Sequence, residues 1–67
     1  MKMDFSEALF LLKAGKRVRR ASWPEFFLYV WLENGMLNMQ DREDGKTTIP
    51  VNTDMVLADD WQEVEGG

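Results

Sequence analysis

FFLYVWLENGMLNMQDR, residues 26–42, is the stretch whose reading decides the fold. Two runs of strand-favouring residues flank Asn34-Gly35. Asn-Gly is the pair that a two-residue type I′ turn favours, because both turn residues take φ > 0. With Asn34 and Gly35 as the loop, the pairing register follows: Glu33 opposite Met36, Leu32 opposite Leu37, Trp31 opposite Asn38, Val30 opposite Met39, Tyr29 opposite Gln40 and Phe27 opposite Arg42. Side chains alternate across a strand, so the hairpin has two unlike faces. Leu28, Val30, Leu32, Leu37 and Met39 make an aliphatic face suited to a core. Phe27, Tyr29, Trp31, Asn38, Gln40 and Arg42 make a face of rings, amides and one guanidinium. That second face suits either a subunit interface or a surface that stacks a flat ring and bonds its edge.

Working outward from the hairpin, the N-terminal side predicts a helix over residues 5–14. Asp4 is its N-cap, with Glu7 three residues on completing a capping box. Phe5, Ala8, Leu9, Leu12 and Leu11 form an apolar stripe expected on the aliphatic hairpin face. Lys13 lies in the last turn, where a cation suits the dipole, and Gly15 fits the C′ position. A short strand follows at 17–21, with charges that blunt a sheet edge. Pro24 ends it and holds Trp23 extended. On the other side, Glu43-Asp44-Gly45-Lys46 reads as a turn and residues 47–51 as a strand that Pro50 confines to an edge or an end. Asn52 or Thr53 caps one helical turn through about residue 58. Residues 60–65 read as the last strand, and Gly66-Gly67 as frayed. The reading is α+β: one domain over residues 1–67, with one N-terminal helix packed on a small antiparallel β-sheet and a short helical turn before the last strand.

The chain has 67 residues. A domain of this size buries only about 60% of its unfolded surface and is marginal alone. It has no Cys and no His. That removes a disulfide framework, thiolate metal sites, the commonest zinc ligand and the commonest general base. Oligomerisation is the remaining staple, so a homo-oligomer is expected. Nothing resembles a signal peptide, and the apolar run 26–32 is far short of the roughly 20 residues of a membrane helix. A cytoplasmic setting and no membrane partner are expected.

The net charge of −4 is unevenly spread: residues 1–20 hold six cations and two acids, the remainder two cations and ten acids. An acidic chain is poorly suited to gripping a nucleic-acid polymer, where many Lys and Arg contacts set affinity. The basic run 16–20 is either a solvated sheet edge or a place where Arg19 or Arg20 meets one small anion. Asp54, Asp59 and Asp60 could act as acids or metal ligands, but aspartates in such a turn are more often caps and solvated acids. No cofactor, no metal and no catalysis are expected. Trp23, Tyr29, Trp31 and Trp61 are many rings for so small a core, so at least one is expected to meet a ligand or partner.

The run DFSEALFLLKAGKRVRRASWP, residues 4–24, and the run TDMVLADDWQEV, residues 53–64, resemble the second family of phage-encoded Thoeris anti-defence proteins. The pattern is K-x-G-K at a helix end, then R-x-x-W-P, then D-x-x-x-A-x-D-W. The resemblance implies a helix on a small antiparallel sheet, assembled as a homodimer or homotetramer with pockets shared between protomers. It also implies a sponge that holds cyclic ADP-ribose-type signals, glycocyclic ADP-ribose above all, without cleaving them, in the cytoplasm of an infected bacterium. Cyclic dinucleotides are an alternative ligand. Trp23 matches the aromatic expected beside the ligand base; Asp54, Asp60 and Trp61 match the other motif positions. Relatives often carry a longer Gly- and Pro-containing segment where this chain has only residues 43–52.

Together the candidate ligand-binding residues are Arg20, Trp23, Tyr29, Asn38, Thr53, Asp54, Asp60 and Trp61. Stacking falls to Trp23, Tyr29 or Trp31, base-edge bonding to Asn38 and Gln40, and phosphate to Arg19, Arg20 or Arg42. The alternative function is a protein-interaction module that blocks a host protein through the aromatic hairpin face.

Overall fold

The structure, a computed structural model, describes residues 3–64. In chain order the elements are α1 (Phe5–Lys13), β1 (Arg17–Arg20), β2 (Phe27–Glu33), β3 (Met36–Asp41), β4 (Gly45–Thr48), α2 (Thr53–Leu57) and β5 (Trp61–Val64). The strands form one five-stranded antiparallel sheet in the order β4-β3-β2-β1-β5. The fold is α+β, with the N-terminal helix on one face of the sheet. No helix among the described residues is long and apolar enough to cross a membrane. The positions expected of Glu65, Gly66 and Gly67 lie outside the described residues.

Local chemistry sets the ends of α1. The Glu7 N–H donates to Asp4 Oδ1 at 3.0 Å, which caps the first turn. At the other end, Gly15 takes φ +85°. The Lys16 N–H donates to the Leu11 carbonyl and the Gly15 N–H to the Leu12 carbonyl, both at 3.0 Å. This is a Schellman closure, and it depends on a residue that tolerates the left-handed region at C′. The buried face of α1 is Ala8 and Leu12, with Phe5 and Leu11 packed beside them. Leu9, expected in the stripe, is half-buried and outside that cluster. The face centres between Ala8 and Leu12, which turns Leu9 to its shoulder.

The hairpin turn is the expected one, with Asn34 at φ 55° and Gly35 at φ +74°. Pairing from Glu33↔Met36 to Tyr29↔Gln40 follows the sequence reading. Beyond that a bulge intervenes, and Phe27 pairs with Asp41 rather than Arg42. Two residues of β2 then oppose one of β3, so alternation slips by one. Phe27 therefore joins the face of Val30 and Met39, against the expectation that placed it with Tyr29 and Trp31.

The core sits on that helix-covered face. Val18, Val30 and Trp61 have no exposed surface, and Leu37, Met55 and Ala58 complete the cluster with the helix residues. Each fully buried large aliphatic side chain contributes about 1.5–3 kcal/mol relative to exposure. Leu28 is half-buried outside the cluster, because the bulge removes it from the aliphatic row. β4 begins at Gly45 and ends at Thr48, earlier than residues 47–51 suggested. Pro50 cannot donate to a ladder, and the last rung is the Ile49 N–H donating to the Leu37 carbonyl at 2.9 Å.

Candidate functional site

Where α1 and α2 leave the sheet uncovered on the core face, an open cleft of about 360 Å³ remains. Its walls come from four segments. Arg20 ends β1, and Trp23 stands in the loop after it. Phe27 and Met39 supply the sheet floor. Ile49, Pro50 and Asn52 close the far side, and Asp54 and Met55 come from α2.

The sequence explains each wall. Pro24 stops β1 and presents Trp23 on the turn, whose Trp23 N–H donates to the Arg20 carbonyl at 3.2 Å. The bulge delivers Phe27 to the cleft side, where its ring meets Trp23 edge-on at 6.5 Å. Asn52 caps α2 by accepting from the Met55 N–H at 2.9 Å. That cap places Asp54 in the exposed first turn. Trp61 then anchors α2 to the sheet, its indole N–H donating to the Met55 carbonyl at 3.1 Å.

The electrostatic centre is Arg20 with Asp60. Arg20 Nε donates to Asp60 Oδ1 at 2.7 Å, and the Ser22 N–H donates to Asp60 Oδ2 at 3.1 Å. The Arg20 bond, seconded by Ser22, holds the Asp60 carboxyl below the usual carboxylate range against a smaller opposing effect of burial. Arg20 bonds Asp60 through Nε and also lines the cleft, so it gives the cleft a guanidinium suited to an anion.

The eight sequence candidates separate. Arg20, Trp23 and Asp54 line the cleft together. Thr53 begins α2 beside Asp54 and is exposed. Asp60 is not among the cleft residues, and each of its carboxylate oxygens accepts a bond from inside the chain, one from Arg20 and one from the Ser22 N–H. Trp61 has no exposed surface. It packs edge-on against Trp23 at 5.6 Å and so backs the cleft without opening onto it. Tyr29 and Asn38 lie on the opposite face of the sheet. Asn38 is buried there, donating to the Met36 carbonyl at 3.0 Å and accepting from the Thr48 hydroxyl at 3.0 Å. Asp54, Asp59 and Asp60 do not converge: no group of three potential ligands is placed for a metal ion among the described residues.

That opposite face carries its own array. Arg17 lies 4.6 Å over Tyr29, the Tyr29 and Trp31 rings are 5.6 Å apart, and Lys46 lies 6.0 Å from Trp31. The Trp31 indole N–H donates to Glu33 Oε1 at 3.1 Å, and Lys46 pairs with Glu33 at 3.3 Å. The Trp31 bond first, then Lys46, holds the Glu33 carboxyl below its ordinary value. These rings are covered by the chain's own cations.

The cleft therefore joins an R-x-x-W-P turn near one end of the chain to a D-x-x-x-A-x-D-W segment near the other. Residues 3–64 match the model of the Thoeris anti-defense 2-like (Tad2-like) domain. The chain belongs to that family. No curated protein matches it. As a Tad2-like domain it has a Thoeris anti-defence role, and the two motifs that carry the resemblance meet in one place. Phe27, Met39, Ile49, Pro50, Asn52 and Met55 line the cleft of this Tad2-like chain and are not among the ligand candidates read from the sequence. Asn52 has a signal as a helix cap. Phe27 has none, because its orientation depends on the bulge.

Proposed function

We propose that this Tad2-like protein sequesters cyclic ADP-ribose-type signals, with glycocyclic ADP-ribose as the leading ligand, and releases them uncleaved. The observation that carries the reading is the cleft in which Arg20, Trp23 and Asp54 come together. Trp23 offers a ring for an adenine, at about 1–3 kcal/mol for a stacked base. Arg20 offers a guanidinium for a pyrophosphate oxygen. Asp54, which has no hydrogen-bond partner among the described residues, can accept from a ribose hydroxyl or an adenine amino group. A chain without His or Cys is poorly equipped to break the ligand's bonds, which favours capture over turnover.

The volume sits near the low end of the ~300–1,000 Å³ typical of small-molecule sites, so a ligand of ADP-ribose size overhangs it. A pocket completed by a second protomer, in a homodimer or homotetramer, fits that overhang. Phe10 and Leu57, 73% and 77% exposed, are apolar surface for such contacts. The setting is the cytoplasm of the infected bacterium.

Isothermal titration with cyclic ADP-ribose isomers and cyclic dinucleotides tests the reading. Tight binding of a cyclic ADP-ribose isomer, and chromatographic recovery of unchanged ligand after heating, are expected. No binding heat with any of them overturns it. A second reading, a module that blocks a host protein, is favoured by the half-buried Tyr29–Trp31 pair with its flanking cations on the sheet face opposite the cleft. It requires a host complex that survives nucleotide depletion and is lost in Trp31→Ala.

A further inference from the structure

Arg19 and Arg20 are neighbours with opposite assignments. Arg20 pairs with Trp61 across β1 and β5 and faces the core side; Arg19 pairs with Gln62 and faces the other side of the sheet. Yet Arg19 reaches around the strand end. Its Nη2 donates to the Trp23 carbonyl at 2.9 Å and its Nε to the Arg20 carbonyl at 3.2 Å. Both acceptors belong to the turn that presents Trp23. The Trp23 carbonyl precedes Pro24, a residue with no N–H to offer the turn.

We propose that Arg19 is a positioning residue for the cleft: from the far side of the sheet its guanidinium clamps both ends of the Arg20–Trp23 turn and fixes where the Trp23 indole stands. The planar fork suits this task, since two donors with fixed separation meet two carbonyls at once. A lysine presents one ammonium on a flexible stem. The opposite side of the same turn is held by Asp60, whose carbonyl accepts from the Ala21 N–H at 2.8 Å and whose carboxylate accepts from the Ser22 N–H. Asp60 fixes the first half of the turn; Arg19 fixes the half that carries the ring. The inference rests on the cleft being the ligand site, but its first readout needs no ligand.

The test uses the full chain with Arg19→Met, which keeps the aliphatic stem, and Arg19→Lys, which keeps stem and charge. Indole ¹H–¹⁵N resonances are recorded for all three tryptophans. The Trp23 resonance is expected to shift and broaden in Arg19→Met while that of Trp31 stays, with a smaller change in Arg19→Lys; Trp61, edge-on to Trp23, follows it weakly. Affinity for glycocyclic ADP-ribose falls about tenfold in Arg19→Met, the scale of a lost hydrogen bond to a charged group. An unmoved Trp23 resonance in the folded variants overturns the proposal, as does unchanged affinity with a displaced ring. If Arg19→Met does not fold, Arg19→Lys decides: an unmoved Trp23 resonance there overturns the clamp. Wild-type protein that binds no cyclic ADP-ribose isomer removes the ligand reading, and the indole resonances alone then decide whether Arg19 holds the turn.

Discussion

Asp60 Oδ1 accepts from Arg20 Nε at 2.7 Å, and this bond ties the two ends of the chain together at the mouth of the cleft. The two side chains are 16% and 22% exposed, a partly screened setting in which the pair's chief effect is orientation.

Acid should undo it with a predictable sign. Asp60 has a lowered folded-state pKa, so its contribution is complete above the ordinary Asp value of about 3.9. The contribution declines as pH falls below that value and is gone once pH passes the lowered folded pKa. Asp60→Asn is expected to be less stable than wild type at neutral pH, with the gap closing in that acid window. Urea unfolding followed by circular dichroism at a series of pH values measures the gap.

Helix packing gives a second expectation. Leu12 is 3% exposed inside the core cluster, whereas Leu9 lies on the shoulder of α1. Leu12→Asp buries an unpaired carboxylate and should abolish folding. Leu9→Asp should remain folded with a lowered melting temperature. A folded Leu12→Asp protein by circular dichroism contradicts the packing.

Trp61 provides the third. Trp61→Ala should cost about 3–5 kcal/mol, a large share of the ~5–15 kcal/mol of a whole domain. Trp61→Phe retains most of the apolar volume but leaves the Met55 carbonyl without its donor, a loss of about 1–3 kcal/mol. Thermal melts of both variants check the order.

The two faces of the sheet can be separated by titration. Arg20→Gln and Asp54→Ala should weaken glycocyclic ADP-ribose binding at least tenfold, about 1.4 kcal/mol or more, while Tyr29→Ala leaves it unchanged. The reverse pattern moves the ligand to the Tyr29–Trp31 face. Circular dichroism of each variant confirms that the comparison is made between folded proteins.

What is legible in the sequence is what local chemistry determines. Asn34-Gly35 specifies its turn through backbone conformation, Asp4 and Asn52 reveal helix starts through their side-chain oxygens, and Gly15 marks a helix end. Two short motifs, far apart in the chain, point to Arg20, Trp23 and Asp54. Features set by long-range packing are not legible. The slip at Leu28 is announced by no residue type. Trp61 looks in sequence like any other indole; only the surrounding α1, α2 and β1 remove it from solvent. Tyr29 and Asn38 suit a ring-stacking site by composition, but strand alternation sends them away from the cleft.

The extra residue in β2 has an evolutionary corollary. Deleting Leu28 would close the bulge and still leave Phe27 opposite Asp41, because Phe27 would then alternate directly with Tyr29. The capture site would keep that wall. This is a spot where the strand can shorten by one residue without turning any side of the cleft away.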